Sequence, residues 1–290
     1  MISIRRLFSF IQTYNKGDNK MIPKVNFCGV DISRLIVGGN TISGTSHISA
    51  ELDAEMEDYF TTQKVKDMFW RCQENGINTM QLRADKHIMR IIREFRLEGG
   101  NMHWIAQHGR EYGSFEGIIG LMASYKPALM YLHGYSVDEM FKDGAQKEIE
   151  RMLGIMKKTG IPVGLCTHMP EVIEYSEIHR WNIDFYMASI YNIMVPERME
   201  QSDKVGNEDP LFIDSDIPLM YEAIRGVDKP CLAFKILGST RRCQSQETVA
   251  AAFKECYASI KKNDAAIVGM FPRDLDEVTL NAKYAAEAMK

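Results

Sequence analysis

Three histidines, His108, His133 and His168, each stand just beyond a short apolar run, and that placement singles them out for chemistry. His133 closes Leu129-Met130-Tyr131-Leu132, where an imidazole can polarise a carbonyl oxygen or pass a proton near neutral pH. Three imidazoles converging from one rim can alternatively hold a divalent metal with a position open for water, with Asp85 or Glu111 completing the shell. A centre of that kind makes hydrolase, lyase or isomerase chemistry the expectation. Arg83 and Lys235 fall on the same rim, and with His133 they offer a third possibility, a scaffold that binds an anionic metabolite and performs no reaction.

Eight apolar runs must position these groups: Arg34–Val37, Ile77–Gln81, His103–Ala106, Leu129–Leu132, Pro162–Cys166, Phe185–Ser189, Cys231–Ile236 and Ala265–Val268. Amphipathic helices separate them. Val65, Met68, Phe69 and Cys72 fall on one helical face that Gly76 ends, and Ile149, Met152, Leu153 and Met156 repeat the pattern before Gly160. Pro170 and Pro272 stand where a first helical turn tolerates a missing N–H. Strand and helix alternating about eight times predict an α/β fold, a closed (β/α)8 TIM barrel, whose chemistry belongs at the carboxyl ends of its strands. An early glycine fingerprint of the open dinucleotide-binding sheet is missing. Two long connections, Asn40–Thr61 and Tyr191–Asp216, the second with Pro196, Gly206 and Pro210, leave from those carboxyl ends and are expected to act as lids.

The chain of 290 residues is 45% hydrophobic and 26% charged, enough for one barrel domain over residues 21–290. Residues 1–20 are expected to form an N-terminal extension, with Met21 a conceivable start and an arm plugging the barrel floor the alternative. A formal charge of −4 without a basic stripe excludes a nucleic-acid partner, and no run suffices to span a bilayer. Six cysteines without a C-x-x-C pair suit reduced thiols in a cytoplasmic protein that takes a small-molecule substrate; oligomeric state is left open.

Several segments in order carry a family resemblance. Ser33-Arg34-Leu35-Ile36-Val37-Gly38-Gly39, Gly76-Ile77-Asn78-Thr79, Leu129 through Gly134, Val163 through His168, Asp184-Phe185-Tyr186 leading to Tyr191-Asn192, and Ile267-Val268-Gly269-Met270 resemble an aldo/keto reductase from about Val25 onward. The resemblance implies an NAD- or NADP-dependent barrel that reduces carbonyls with an Asp, Tyr, Lys, His tetrad. Gln81 stands at the aspartate position, Lys86 at the tyrosine and Gln107 at the lysine, so His133 is the tetrad member retained. Without a tyrosine whose proton a neighbouring ammonium loosens, alkoxide protonation lacks its usual donor, and losing such an acid removes about 10²- to 10⁴-fold in rate. Arg83 and Lys86 would then contribute charge, and Gln81 and Gln107 hydrogen bonds.

The cofactor side matches better. Thr167-His168 takes the place of a Ser-Asn pair on the nicotinamide amide, Phe234 that of a stacking ring, and Lys235 and Leu237 lead towards the pyrophosphate. Gly269 to Arg273 would open a phosphate-binding helix, and Asn281 matches an asparagine near the adenine. Glu277 stands where members preferring NADP often carry arginine, which favours NAD.

Overall fold

The computed structural model describes residues 22–109, 113–198 and 212–290. The chain enters as a hairpin of β1 (Lys24–Phe27) and β2 (Val30–Ser33), paired antiparallel with Phe27 opposite Val30. Cys28 and Gly29 between them both have positive φ, 51° and 87°, the geometry of the tight turn whose twist matches paired strands. Phe27 and Ile32 from this hairpin pack on the interior residues Ile36, Phe185 and Leu232, with the Phe27 and Phe185 rings 5.4 Å apart. A hairpin at residues 24–33, absent from the sequence expectation, therefore closes the barrel floor. Residues 1–20, including any arm, lie outside the described residues.

Eight parallel strands follow and close on themselves: β3 (Leu35–Gly38), β4 (Thr79–Arg83), β5 (His103–Gln107), β6 (Leu129–Leu132), β7 (Val163–Thr167), β8 (Phe185–Ser189), β9 (Cys231–Phe234) and β10 (Ala265–Gly269), with β10 pairing both β9 and β3. The expected TIM barrel is the observed fold. Alternation along each strand sends one set of side chains inward and the other against the helices. Met80 and Leu82 of β4 join the outer core, while Gln81 and Arg83 face the mouth. That strand runs two residues later than Ile77–Gln81, because Gly76 (φ 80°) ends the preceding helix and Ile77 and Asn78 complete the turn.

The connections carry the helices that matter for the site. Within Asn40–Thr61 lies α1 (Ala50–Tyr59), capped by Ser49, whose hydroxyl accepts the Leu52 N–H at 3.2 Å. The segment is thus half helix. Thr62–Glu74 forms α2, burying Val65, Met68, Phe69 and Cys72 as their spacing demands. Next come α3 (Lys86–Leu97), α4 (Phe115–Ser124), α5 (Gly134–Lys142), α6 (Gln146–Lys157) and α7 (Pro170–Ile178), the last starting on Pro170 as expected. After β8, α8 (Asp216–Arg225), α9 (Gln246–Ser259) and α10 (Glu277–Ala288) complete the shell. Pro272 starts no helix: it lies in a turn, and α10 begins five residues later with Asp276 accepting the Thr279 N–H at 3.3 Å. No helix among the described residues is long and apolar enough to cross a membrane.

Candidate active site

A cleft of about 660 Å³ opens at the carboxyl end of the barrel and runs from its centre to the start of α10. Gln81, Arg83, Gln107, His133 and His168 line the inner half, and Phe271, Arg273, Glu277, Leu280 and Asn281 the outer. The loop after β3 roofs it with Asn40–His47 residues and with Leu52 and Met56 of α1. Gly39 makes this crossing feasible, since a Cβ there would sit 2.9 Å from Leu82 Cδ2 and 3.1 Å from the Gln81 carbonyl oxygen. The roof is tied across the cleft. Thr41 donates to the Met270 carbonyl (2.8 Å), Tyr59 to that of Pro272 (3.0 Å), and Arg241 to that of His47 (3.0 Å).

Gln81 and Gln107 do not touch as a pair; Tyr131 joins them. Gln81 Nε2 donates to the Tyr131 hydroxyl at 2.6 Å, which donates to Gln107 Oε1 at 2.7 Å. Burial pushes the Tyr131 phenol well above its ordinary range, so it remains a neutral hydroxyl. Three neutral groups thus fill the space in which a charged acid-tuning set was the family expectation.

His133 lines the cleft, its Nδ1 3.4 Å from the Ser136 hydroxyl. His108 lies behind it: its Nδ1 accepts the His133 backbone N–H at 3.0 Å, and its ring is not part of the lining. His168 faces the cleft but is bound at Nδ1 to Asp138 Oδ2, 2.8 Å away. The three histidines therefore do not converge, and among the described residues no group of three or more His, Cys, Asp or Glu side chains is placed to hold a metal ion. Asp85 instead caps α3 through the Ile88 N–H (2.8 Å), and Glu111 lies outside the described residues.

Two further expectations are corrected. Lys86 is the exposed first residue of α3 and lines no part of the cleft, because β4 ends at Arg83 and the chain turns away before it. Thr167 is fully buried with its hydroxyl donating to Asp138, and it lines no part of the cleft. It is spent on positioning and leaves nothing for a nicotinamide amide.

The remaining residues do line the cleft. Phe234 meets the His168 ring edge-on at 5.6 Å, and Leu237 and Gly269 flank the passage outward. Lys235, held at φ 62°, places its ammonium 3.0 Å from His47 Nε2. Arg273 pairs with Glu55 (2.7 Å) and Asp274 (2.8 Å) at the rim. Asn281, 4% exposed, is among the lining residues. Glu277 accepts the Phe271 N–H at 2.6 Å, while burial pushes its carboxyl up. It is the only carboxylate among the described lining residues, which also include Arg83, Lys235 and Arg273.

His47, Tyr131 and Asp138 are the site residues that sequence reasoning missed. Tyr131 had a signal, since it lies two residues before His133 on one strand face. Enclosure at the mouth, then the Lys235 ammonium, push the His47 imidazole down to about 3, although the ring still meets solvent. His47 is accordingly expected to stay neutral: its ring resonances should remain flat from about pH 8 to about pH 5, a range in which an unperturbed histidine titrates at about 6.5. Lys235→Met should restore part of that titration, and NMR pH titration of both proteins reads the difference.

No protein-family model matches the chain, and no curated protein matches it. Solved structures do share its fold. A truncated 3-deoxy-D-arabino-heptulosonate 7-phosphate synthase from Thermotoga maritima superposes with a TM-score of 0.53 at 14% identity, covering 93% of this chain and 90% of that one. N-acetylmannosamine-6-phosphate 2-epimerase from Clostridium perfringens gives 0.50 at 10% identity, covering 89% and 91%. Both are barrel enzymes and neither is an aldo/keto reductase. At such identities the likeness supports the barrel alone, and the reductase resemblance rests on the sequence segments that carry it.

Proposed function

We propose that the chain is an aldo/keto-reductase-like oxidoreductase with an atypical tetrad, acting with NAD on a small anionic carbonyl compound. The observation that carries this reading is an elongated cleft that holds Arg83 and Lys235 at the barrel centre and ends at the Asn281 carboxamide on α10. An adenine ring, with adjacent donor and acceptor atoms, matches a carboxamide. A bound nicotinamide at the other end would supply a hydride. Phe234 would flank that ring, Arg83 and Lys235 would hold the substrate's negative charge, and His133 would orient its carbonyl oxygen. The start of α10 favours NAD over NADP, because Asp276 already caps it and the Glu277 carboxyl stands beside it.

Titration with NADH and NADPH, followed by nicotinamide fluorescence, tests the reading. Saturable binding is expected, tighter for NADH, and Asn281→Ala should weaken it by about tenfold, the equivalent of one hydrogen bond at about 1.4 kcal/mol. No saturable change with either nucleotide up to millimolar concentration would sink it. That outcome would favour a second reading, a non-catalytic barrel for an anionic metabolite, which the neutral Gln81–Tyr131–Gln107 chain supports. A thermal-shift screen with carboxylates and sugar acids would then identify the ligand class.

A further inference from the structure

We infer that Asp138 and His168 form a proton-carrying dyad, in which His168 Nε2 exchanges a proton with the substrate oxygen and supplies the acid that the tetrad positions lack. For its substrate this rests on the functional reading above; for its geometry it stands alone. Asp138 is fully buried on α5 and collects donors from every side. Oδ1 accepts the Thr167 hydroxyl, and Oδ2 accepts the His168 backbone N–H at 3.0 Å and faces His168 Nδ1 at 2.8 Å. A carboxylate accepts only, so Nδ1 carries the hydrogen and the neutral ring keeps its lone pair on Nε2. The ring lines the cleft while Nδ1 is turned to Asp138, which leaves Nε2 as its reactive edge.

Several neighbours in the inner cleft are committed elsewhere, and His133, its Nδ1 3.4 Å from the Ser136 hydroxyl, keeps the role of orienting the carbonyl oxygen. The Tyr131 hydroxyl is committed to Gln107, and the Cys166 thiol, on the same strand end, is held neutral by burial. His47 from the roof loop and Lys235 after β9 are occupied with each other. In the reducing direction the carbonyl carbon gains the hydride, the carbonyl π pair takes the proton from Nε2, and the imidazolium becomes neutral imidazole with Nδ1–H still on Asp138. Oxidation of the alcohol reverses both transfers. His168 is then the catalytic residue, with Asp138 and Thr167 as positioning residues.

Long-range 1H–15N NMR on the full chain with 15N-labelled histidine tests the dyad without any ligand. His168 is expected as the Nδ1–H tautomer. Asp138→Asn should introduce the Nε2–H form, because an amide facing three donors must present an N–H to one of them; Asp138→Ala serves if that variant does not fold. A ring found as Nε2–H in the wild-type chain, or a tautomer unmoved by either variant, overturns the dyad whether or not a nucleotide binds. With glyoxylate and NADH as the probe reaction, His168→Gln should lower turnover at saturating NADH about 10²- to 10⁴-fold. Unchanged turnover with normal NADH binding removes the dyad and leaves the oxidoreductase reading standing. Failure of wild-type protein to bind NADH removes that reading and leaves the tautomer to decide the dyad.

Discussion

Trp104→Ala is expected to lower the unfolding free energy by about 3–5 kcal/mol, the range for removing a fully buried aromatic side chain. Trp104 lies on the helix-facing side of β5 without solvent exposure, and its indole N–H donates to the Leu82 carbonyl at 3.0 Å. The indole thereby bonds β5 to the strand that carries Gln81 and Arg83. Trp104→Phe keeps most of the apolar volume and forfeits the hydrogen bond, so it should cost about 1–3 kcal/mol. Urea denaturation separates the two: the midpoint should fall in that order with the slope unchanged. Equal losses would mean that the hydrogen bond, rather than the packing, dominates.

For Tyr131→Phe the expected loss is about 1–3 kcal/mol, because the Gln81 amide loses its acceptor and Gln107 its donor in a poorly hydrated interior. The asymmetry of hydrogen-bond energetics makes a sharper test. Replacing all three groups at once, Gln81→Leu with Tyr131→Phe and Gln107→Leu, should recover most of the loss, since no orphaned polar atom remains. A triple variant as unstable as the sum of the single variants would show that the chain contributes net stabilisation beyond satisfying itself. Denaturation midpoints of the wild-type chain, the three single variants and the triple variant decide between these outcomes. The same variants bear on chemistry, because a structural role for the neutral trio predicts that NADH binding survives Tyr131→Phe.

Most of the scaffold was legible because it depends on local pattern. The runs at Leu129–Leu132 and Phe185–Ser189 begin and end where expected, and Pro170 opens α7, since apolar clustering and a missing N–H act over a few residues. The floor hairpin escaped notice: its strands have only four residues each, and its turn is Cys28-Gly29 rather than a residue pair that signals one. Helix α1 was hidden by its acidic, weakly patterned surface, which buries little besides Met56.

The site divides along the same line. That His133 and Gln107 come to one opening was readable from strand order, since closure of the barrel gathers strand ends whatever their separation in sequence. Which way each side chain near the rim turns was not readable. Lys86 is carried off by the start of α3, Thr167 donates to Asp138, and Asp138 arrives from a helix to take hold of His168. By itself the sequence determined the barrel and the rim, because periodicity and breaker residues are local properties. Only the tertiary structure decided the partners, because Gln81–Tyr131–Gln107 and Asp138–His168 are contacts across 24 to 50 residues of chain, chosen by burial and hydrogen-bond satisfaction rather than by spacing.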